Sequence, residues 1–546
     1  MNHPSNSSRE LATILEYISA DWSLLTRSTA TCEAASDPKL TDPVTLYLPA
    51  DFAIPPALPE LFRDGNVRIE RLSEVIRGPG QQTSNGFHPP GLLFLENPYV
   101  VPGGRFNEMY GWDSYFIILG LLRSNQIDSN QIDLARGMVE NFFFEIEHYG
   151  GVLNANRAYY LTRSQPPFLS SMIVAFYEAQ RAAGRADRDW LTKAYHYASR
   201  DYEMWTLTDH LAGSTGLSRF NGFGDGPVIE GLHDEISYYH DVLSYFLQQD
   251  KSSPHLVESI SREDLAHPTY SRELYEPAEP SAPGTMPDAI KYVGLTTEYY
   301  KGDRSMRESG FDISFRFGPY GAETHHYAPV CLNSLLYKTE TDLEAIATLL
   351  DDKQAAAQWR ERSETRQNII QTLLWNQQRG LFFDYDFTTN TQSSYEYAAT
   401  FYPLWAGLAT AEQAGSVVKN LPLFEHAGGL AMSTRGTGVQ WDYPFGWAPM
   451  QLLAVEGLRR YGYKAEADRI AYKFLSMVLI NFVRDGNIRE KYDVVSDSSN
   501  FKLAEGYRDN IVGFGWTNGV FLELLHSLPK EYLNRLIAQP VPTSQP

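Results

Sequence analysis

At 546 residues, 43% hydrophobic and 13% aromatic, the chain can bury a large core, and at 21% charged residues it is not a disordered polyelectrolyte. A formal net charge of −21 argues against nucleic acid or an anionic membrane as partner, and two cysteines, Cys32 and Cys331, exclude a disulfide framework. No run of 18 apolar residues offers a membrane span, and Met1 to Trp22 lacks the apolar centre of a secretion leader, so a cytoplasmic protein is expected.

Residues 1–24 are expected to be a polar tail and short helix, 25–530 a single catalytic domain, and 531–546 a C-terminal tail. Pro43, Pro49, Pro55, Pro56 and Pro59 punctuate the stretch 43–75 and predict an irregular wrapping arm. Gly103-Gly104 predicts a tight turn, with helical spacing from about Asn107. Leu134, Met138, Val139, Phe142, Phe143 and Ile146 then mark one face of a helix over 132–146. The same period recurs over 168–183, 190–205, 335–350, 355–374, 395–408, 450–461, 465–482 and 514–525. Strand-like alternation is confined to short pieces such as 379–386. Loops rich in Gly, Asn, Arg and Trp separate the helices, at 149–160, 302–320, 428–447 and 485–515. The class is all-α, with functional residues carried on loops.

Arg105, Trp112 and Asp113 form a set suited to a sugar, the ring stacking on C–H faces and the charged groups forking hydroxyls. An Arg–Asp pair beside a buried tryptophan would look the same. Among 67 acidic residues, two stand in contexts that suit acid–base work on a glycosidic bond. Asp312 follows Gly310 and is flanked by aromatics, which would favour a neutral acid; Glu490 lies between Arg489 and Lys491, which would keep it ionised.

Two long motifs go further. Pro102-Gly-Gly-Arg-Phe-Asn-Glu-Met-Tyr-Gly-Trp-Asp-Ser-Tyr115 and Gln440-Trp-Asp-Tyr-Pro-Phe-Gly-Trp-Ala-Pro449 resemble the two signatures of the trehalases, glycoside hydrolase family 37. The resemblance extends from about Leu25 to Leu525 and is weakest over 210–300. It implies an (α/α)6 toroid and an inverting hydrolysis without metal or cofactor. Asp312 would be the general acid and Glu490 the general base. Matching blocks at 153–168 and 308–317 imply sugar contacts for Asn154, Arg163, Ser164, Gln165 and Gly310 beside Arg105, Trp112 and Asp113.

Two departures touch the second sugar. Where the family carries Pro-Arg-Pro-Glu-Ser, this chain has Pro227-Val228-Ile229-Glu230-Gly231: Glu230 keeps the carboxylate, and Val228 replaces the arginine. The glycine-rich lid is replaced by 496–511, in which Arg508 could compensate. The expected substrate is therefore a small neutral α-glucoside osmolyte, glucosylglycerol ahead of α,α-trehalose, with water as co-reactant. A non-catalytic sugar-binding protein and a phosphorylase are the other readings; retention of both carboxylates speaks against them. His325-His326, adjacent and so not on one helix face, are expected to be structural rather than metal ligands.

Overall fold

The structure, a computed structural model, describes residues 6–31, 34, 45–56, 58, 67–81, 90–124, 130–228, 235–249, 252–274, 291–501, 503 and 510–539. It is 53% helical. In chain order the helices used below are α1 (Asn6–Leu25), α2 (Asp113–Ser124), α3 (Asn130–His148), α4 (Leu169–Ala182), α5 (Arg188–Trp205) and α6 (Glu235–Gln249). They continue with α7 (Thr297–Glu308), α8 (Val330–Leu349), α9 (Lys353–Leu373), α10 (Tyr402–Ala406), α11 (Ala411–Lys419) and α12 (Ala448–Arg460). Last come α13 (Lys464–Asp485), α14 (Gly515–Ser527) and α15 (Lys530–Ala538).

Helices α2, α4, α8, α10, α12 and α14 touch one another in succession, and α14 returns to α2, closing an inner ring. Their sequences are apolar on most faces, as a doubly covered helix requires; in α14 the residues from Gly515 to Phe521 are all buried. The outer helices are amphipathic. In α3 the predicted stripe of Met138, Val139, Phe142, Phe143 and Ile146 is buried against the ring. Helices α3, α5, α9 and α13 pack on α2, α4, α8 and α12, and α1 packs on α14. This is the (α/α)6 toroid.

Several expectations need correction. The first signature is not helical from Asn107: α2 starts at Asp113, because the preceding polar groups bond across to the 154–165 strip. Met109 N–H donates to Asn156 Oδ1 (2.8 Å), Gly111 N–H to the Asn154 carbonyl (3.1 Å) and Trp112 N–H to Gln165 Oε1 (3.0 Å). The 395–408 period yields only a 3₁₀ turn and α10, since Tyr397 is extended and Gly407, at φ 80°, ends the helix. The 302–320 loop contains most of α7. The arm is more regular than its prolines imply: Thr45–Leu48, wholly buried between Pro43 and Pro49, pairs in parallel with Arg68–Arg71 and Gly91–Leu93. Residues 531–538 of the expected tail belong to α15, packed on α1 and α13.

One buried network ties inner helix α8 to outer helices α5 and α9. Arg366 Nε donates to Glu340 Oε1 (2.7 Å) and Arg366 Nη1 to Asn333 Oδ1 (3.2 Å), while Tyr202 Oη donates to Glu340 Oε1 (2.7 Å). Removing one member leaves a charge without its counter-ion in a dry site. Arg366→Met is therefore expected to destabilise the fold by about 3–5 kcal/mol, and adding Glu340→Gln to recover part of the loss. Urea unfolding midpoints measure both; a loss below about 1 kcal/mol would mean that the network is wet.

Candidate active site

The catalytic candidates sit on loops, Asp312 after α7 and Glu490 after α13. Asp312 follows α7 by a short turn. Gly310 there adopts φ 74°, and a Cβ would lie 3.0 Å from the Trp112 ring, so a glycine both permits the turn and lets the tryptophan close on it. The second signature braces this segment. Gln440 Nε2 donates to the Asp312 carbonyl (2.5 Å), and Trp441 N–H donates to the Ile313 carbonyl (3.1 Å). Asp442, buried, accepts from Ser314 Oγ (2.9 Å), Phe315 N–H (3.0 Å) and Thr437 Oγ1 (2.7 Å). Further on, Arg316 forks onto the Asp384 carboxylate at 2.6 and 2.8 Å.

Glu490 is placed by a strand pair. Phe445–Trp447 runs antiparallel to Lys491–Asp493, with Trp447 opposite Lys491, so the second signature holds this segment too. Glu490 N–H donates to the Ile511 carbonyl (3.0 Å), and the Glu490 carbonyl accepts from Trp516 Nε1 (3.2 Å). The backbone is thus fixed on both sides, and Glu490 is buried. Of its two flanking cations, Lys491 donates through Nζ to Glu490 Oε2 (2.5 Å) and lies 4.9 Å from the Trp447 ring centre. Arg489 Nη1 donates instead to the Asn510 carbonyl (2.9 Å).

Electrostatics join the two segments. Burial holds the Asp113 carboxyl well above the ordinary carboxylate range, and the charges of Glu490 and Asp312 push it the same way. Burial pulls the Lys491 ammonium below the usual lysine range, while Glu490 and Asp312 hold its proton on. Asp113 and Lys491 thus each sense both Asp312 and Glu490, and these four groups belong to one site.

The remaining candidates divide. Trp112 is enclosed by Phe311, Trp441, Trp516, Phe116 and Phe168. Asn154, Ser164 and Gln165 line one strip with it. Asn154 Nδ2 donates to the Ser164 carbonyl (3.4 Å) and to that of Arg307 (3.5 Å); Ser164 Oγ donates to the Val152 carbonyl (2.6 Å). Arg163, buried, stacks over the Tyr160 ring at 4.8 Å. Arg105 is half-buried on the Gly103–Phe106 turn, which packs on residues 511–513 beside the Glu490 partner Ile511. Glu230 and Arg508 lie outside the described residues. Sequence reasoning missed the roles of Gln440 and Asp442, although the motif that contains them was in view.

A family model described as Trehalase matches residues 81–529. The cytosolic neutral trehalase of Saccharomyces cerevisiae is 40% identical over 458 residues, covering 78% of this chain and 56% of its own. That of Beauveria bassiana is 36% identical over 526 residues, covering 88% and 65%. The chain therefore spans less than two thirds of the length of these relatives. The solved structure of neutral trehalase Nth1 from Saccharomyces cerevisiae superposes with a TM-score of 0.75 at 33% identity, covering 97% of this chain and 96% of that one.

Lys491→Met removes the positive charge hydrogen-bonded to Glu490. The variant is expected to lose about 10–100-fold in kcat/KM, as loss of a charged hydrogen bond does. A variant as fast as the wild type would show that the Lys491–Glu490 contact does not serve the reaction.

Proposed function

Because the chain belongs to the trehalase family, we propose that it is an inverting glycoside hydrolase that cleaves α,α-trehalose, with Asp312 as general acid and Glu490 as general base. The observation that carries the reading is the shared field: Asp113 and Lys491 each sense both carboxyls. In the proposed reaction Asp312 gives its proton to the glycosidic oxygen as the C–O bond breaks. Glu490 takes a proton from a water, whose oxygen attacks the anomeric carbon from the opposite face. Lys491 donates a hydrogen bond to Glu490, and the Gln440 bond fixes the Asp312 backbone. Trp112, Asp113, Asn154, Arg163, Ser164 and Gln165, with Arg105 and Gly310, would hold the first glucose. Residues 25–530 are read as the catalytic unit, and the cytosol as its compartment, by likeness to relatives named cytosolic.

The preference for glucosylglycerol rested on Val228 having removed the cation for the second sugar. Arg307 weakens that argument. Val228 N–H donates to Tyr239 Oη (2.9 Å), which donates to Asp303 Oδ2 (2.9 Å), and Asp303 accepts from Arg307 Nε at 3.3 and 3.4 Å. The guanidinium also stacks on Tyr238, 5.1 Å from its centre. An arginine thus stands three hydrogen bonds from Val228, on the helix that runs into Asp312. We assign it the role of forking hydroxyls of the second glucose. Relatives named trehalases favour the same substrate.

Asp312→Asn and Glu490→Gln are each expected to lower kcat by about 10²–10⁴-fold with the fold intact. In the wild type, inversion yields one β- and one α-glucose per trehalose before mutarotation, whereas retention yields α only. Proton NMR of fresh product distinguishes them, and α-glucose alone would refute the mechanism.

For substrate choice, kcat/KM for trehalose should exceed that for glucosylglycerol by at least about tenfold. Arg307→Met should cut the trehalose value by about 10–100-fold, as loss of a charged hydrogen bond does, and narrow the ratio. A wild type faster on glucosylglycerol would overturn the assignment.

A further inference from the structure

Away from the hydrolytic residues, three ligating side chains converge. Glu298 opens α7, and His325 and His326 follow in the 3₁₀ turn Thr324–His326. Glu298 Oε1 accepts from both imidazoles, His325 Nε2 at 2.7 Å and His326 Nε2 at 2.9 Å, and the ring centres are 4.1 Å apart. The adjacent histidines, expected on sequence grounds to diverge, do so on an α-helix; here the turn ends at His326, and a glutamate from another element meets both rings. One ligand atom from each residue lies within 4.8 Å of the others. A tetrahedral zinc site with ligand distances of 2.0–2.1 Å has edges of roughly 3.3 Å, so rotamer changes on the order of an ångström close the gap.

We propose that Glu298, His325 and His326 form a binding site for a zinc-class divalent ion, which clamps the start of α7 to the turn returning from Asp312. Two imidazoles and a carboxylate suit such an ion by ligand type, and the exposed flank of Glu298 leaves room for a water as fourth ligand. His325 is buried, and Nε2, the ring nitrogen that faces Glu298, is the atom it would offer to a metal in exchange for its proton.

The scaffold holds the three residues in place before any ion arrives. Arg219 Nη1 donates to the His325 carbonyl (3.0 Å). Gly302 lets α7 press on the same turn, since a Cβ there would meet the Ala322 carbonyl oxygen at 2.0 Å. The contact joins residues 27 positions apart, and Asp312 lies within the closed loop.

The test titrates chelator-stripped full-length protein with zinc chloride in a calorimeter and follows cobalt(II) by visible absorption. Wild type is expected to bind one equivalent and gain the d–d bands of a low-coordinate cobalt site. His326→Ala and Glu298→Gln should each bind at least about tenfold more weakly. Zinc should raise the Tm of the wild type and not of the variants. The other histidines persist in both variants, so adventitious binding would give three matching isotherms. That result, or no zinc equivalent in the wild type, would overturn the site. His326 is half-exposed and its loss leaves the core untouched. Should His326→Ala fail to fold, Glu298→Gln, which keeps an acceptor for both rings, carries the same comparison.

Discussion

Lys491 is the group on which the site depends. Three carboxyls, Asp113, Asp312 and Glu490, share one field in a region where Asp113 and Glu490 are buried. Like charges brought together away from water repel, and the more so the lower the local dielectric. The Lys491 ammonium, hydrogen-bonded to Glu490, sets a positive charge among them, while burial and the neighbouring charges hold the Asp113 carboxyl well above the ordinary range.

The position of Lys491 is held by flat rings and backbone bonds, which hardly deform. Trp441 and Trp447 stack at 3.8 Å, inclined by 2°, and Trp447 Nε1 donates to the Gln440 carbonyl (2.9 Å). The same ten residues reach the acid segment through Gln440, Trp441 and Asp442 and the base segment through Phe445–Trp447. The two carboxyls come from segments far apart in sequence, and this motif sets their separation. Rigid aromatics lose little side-chain entropy on ordering, so the alignment is cheap to maintain.

How much of this was legible in the sequence can be judged at particular residues. Helix α3 was readable because its buried stripe repeats every third or fourth residue. The first turns of the site were not: Asn107 to Trp112 look helical, yet their amides bond to residues 154–165, and no local pattern announces a long-range acceptor. Asp312 and Glu490 could be singled out from motif and neighbours. The division of labour between Arg489 and Lys491 could not, since both flank Glu490 and only the strand pairing with Trp447 decides which one reaches it. The convergence of His325 and His326 on Glu298 was likewise hidden, because it needs a third residue from another element.

Helix α7 explains why the stretch with the weakest resemblance can vary without disturbing the chemistry. Lys301 Nζ donates to the Gly222 carbonyl (2.7 Å), Arg304 Nε to that of Gly226 (2.7 Å) and Arg304 Nη2 to that of Pro227 (3.0 Å). Glu308 Oε2 accepts from Asn221 N–H (2.6 Å) and stands 3.3 Å from His210 Nε2. Nearly all of these bonds end on backbone atoms of the 221–228 loop, and a carbonyl accepts whatever its side chain. Exchange of an arginine for Val228 therefore removes a side chain and leaves the loop in place. The last turn of α7 supplies Arg307 and leads directly to Gly310 and Asp312, so the element that steadies the variable loop also presents the residue proposed as the acid. The freedom of side chains in the 221–228 loop follows from which atoms the helix grips.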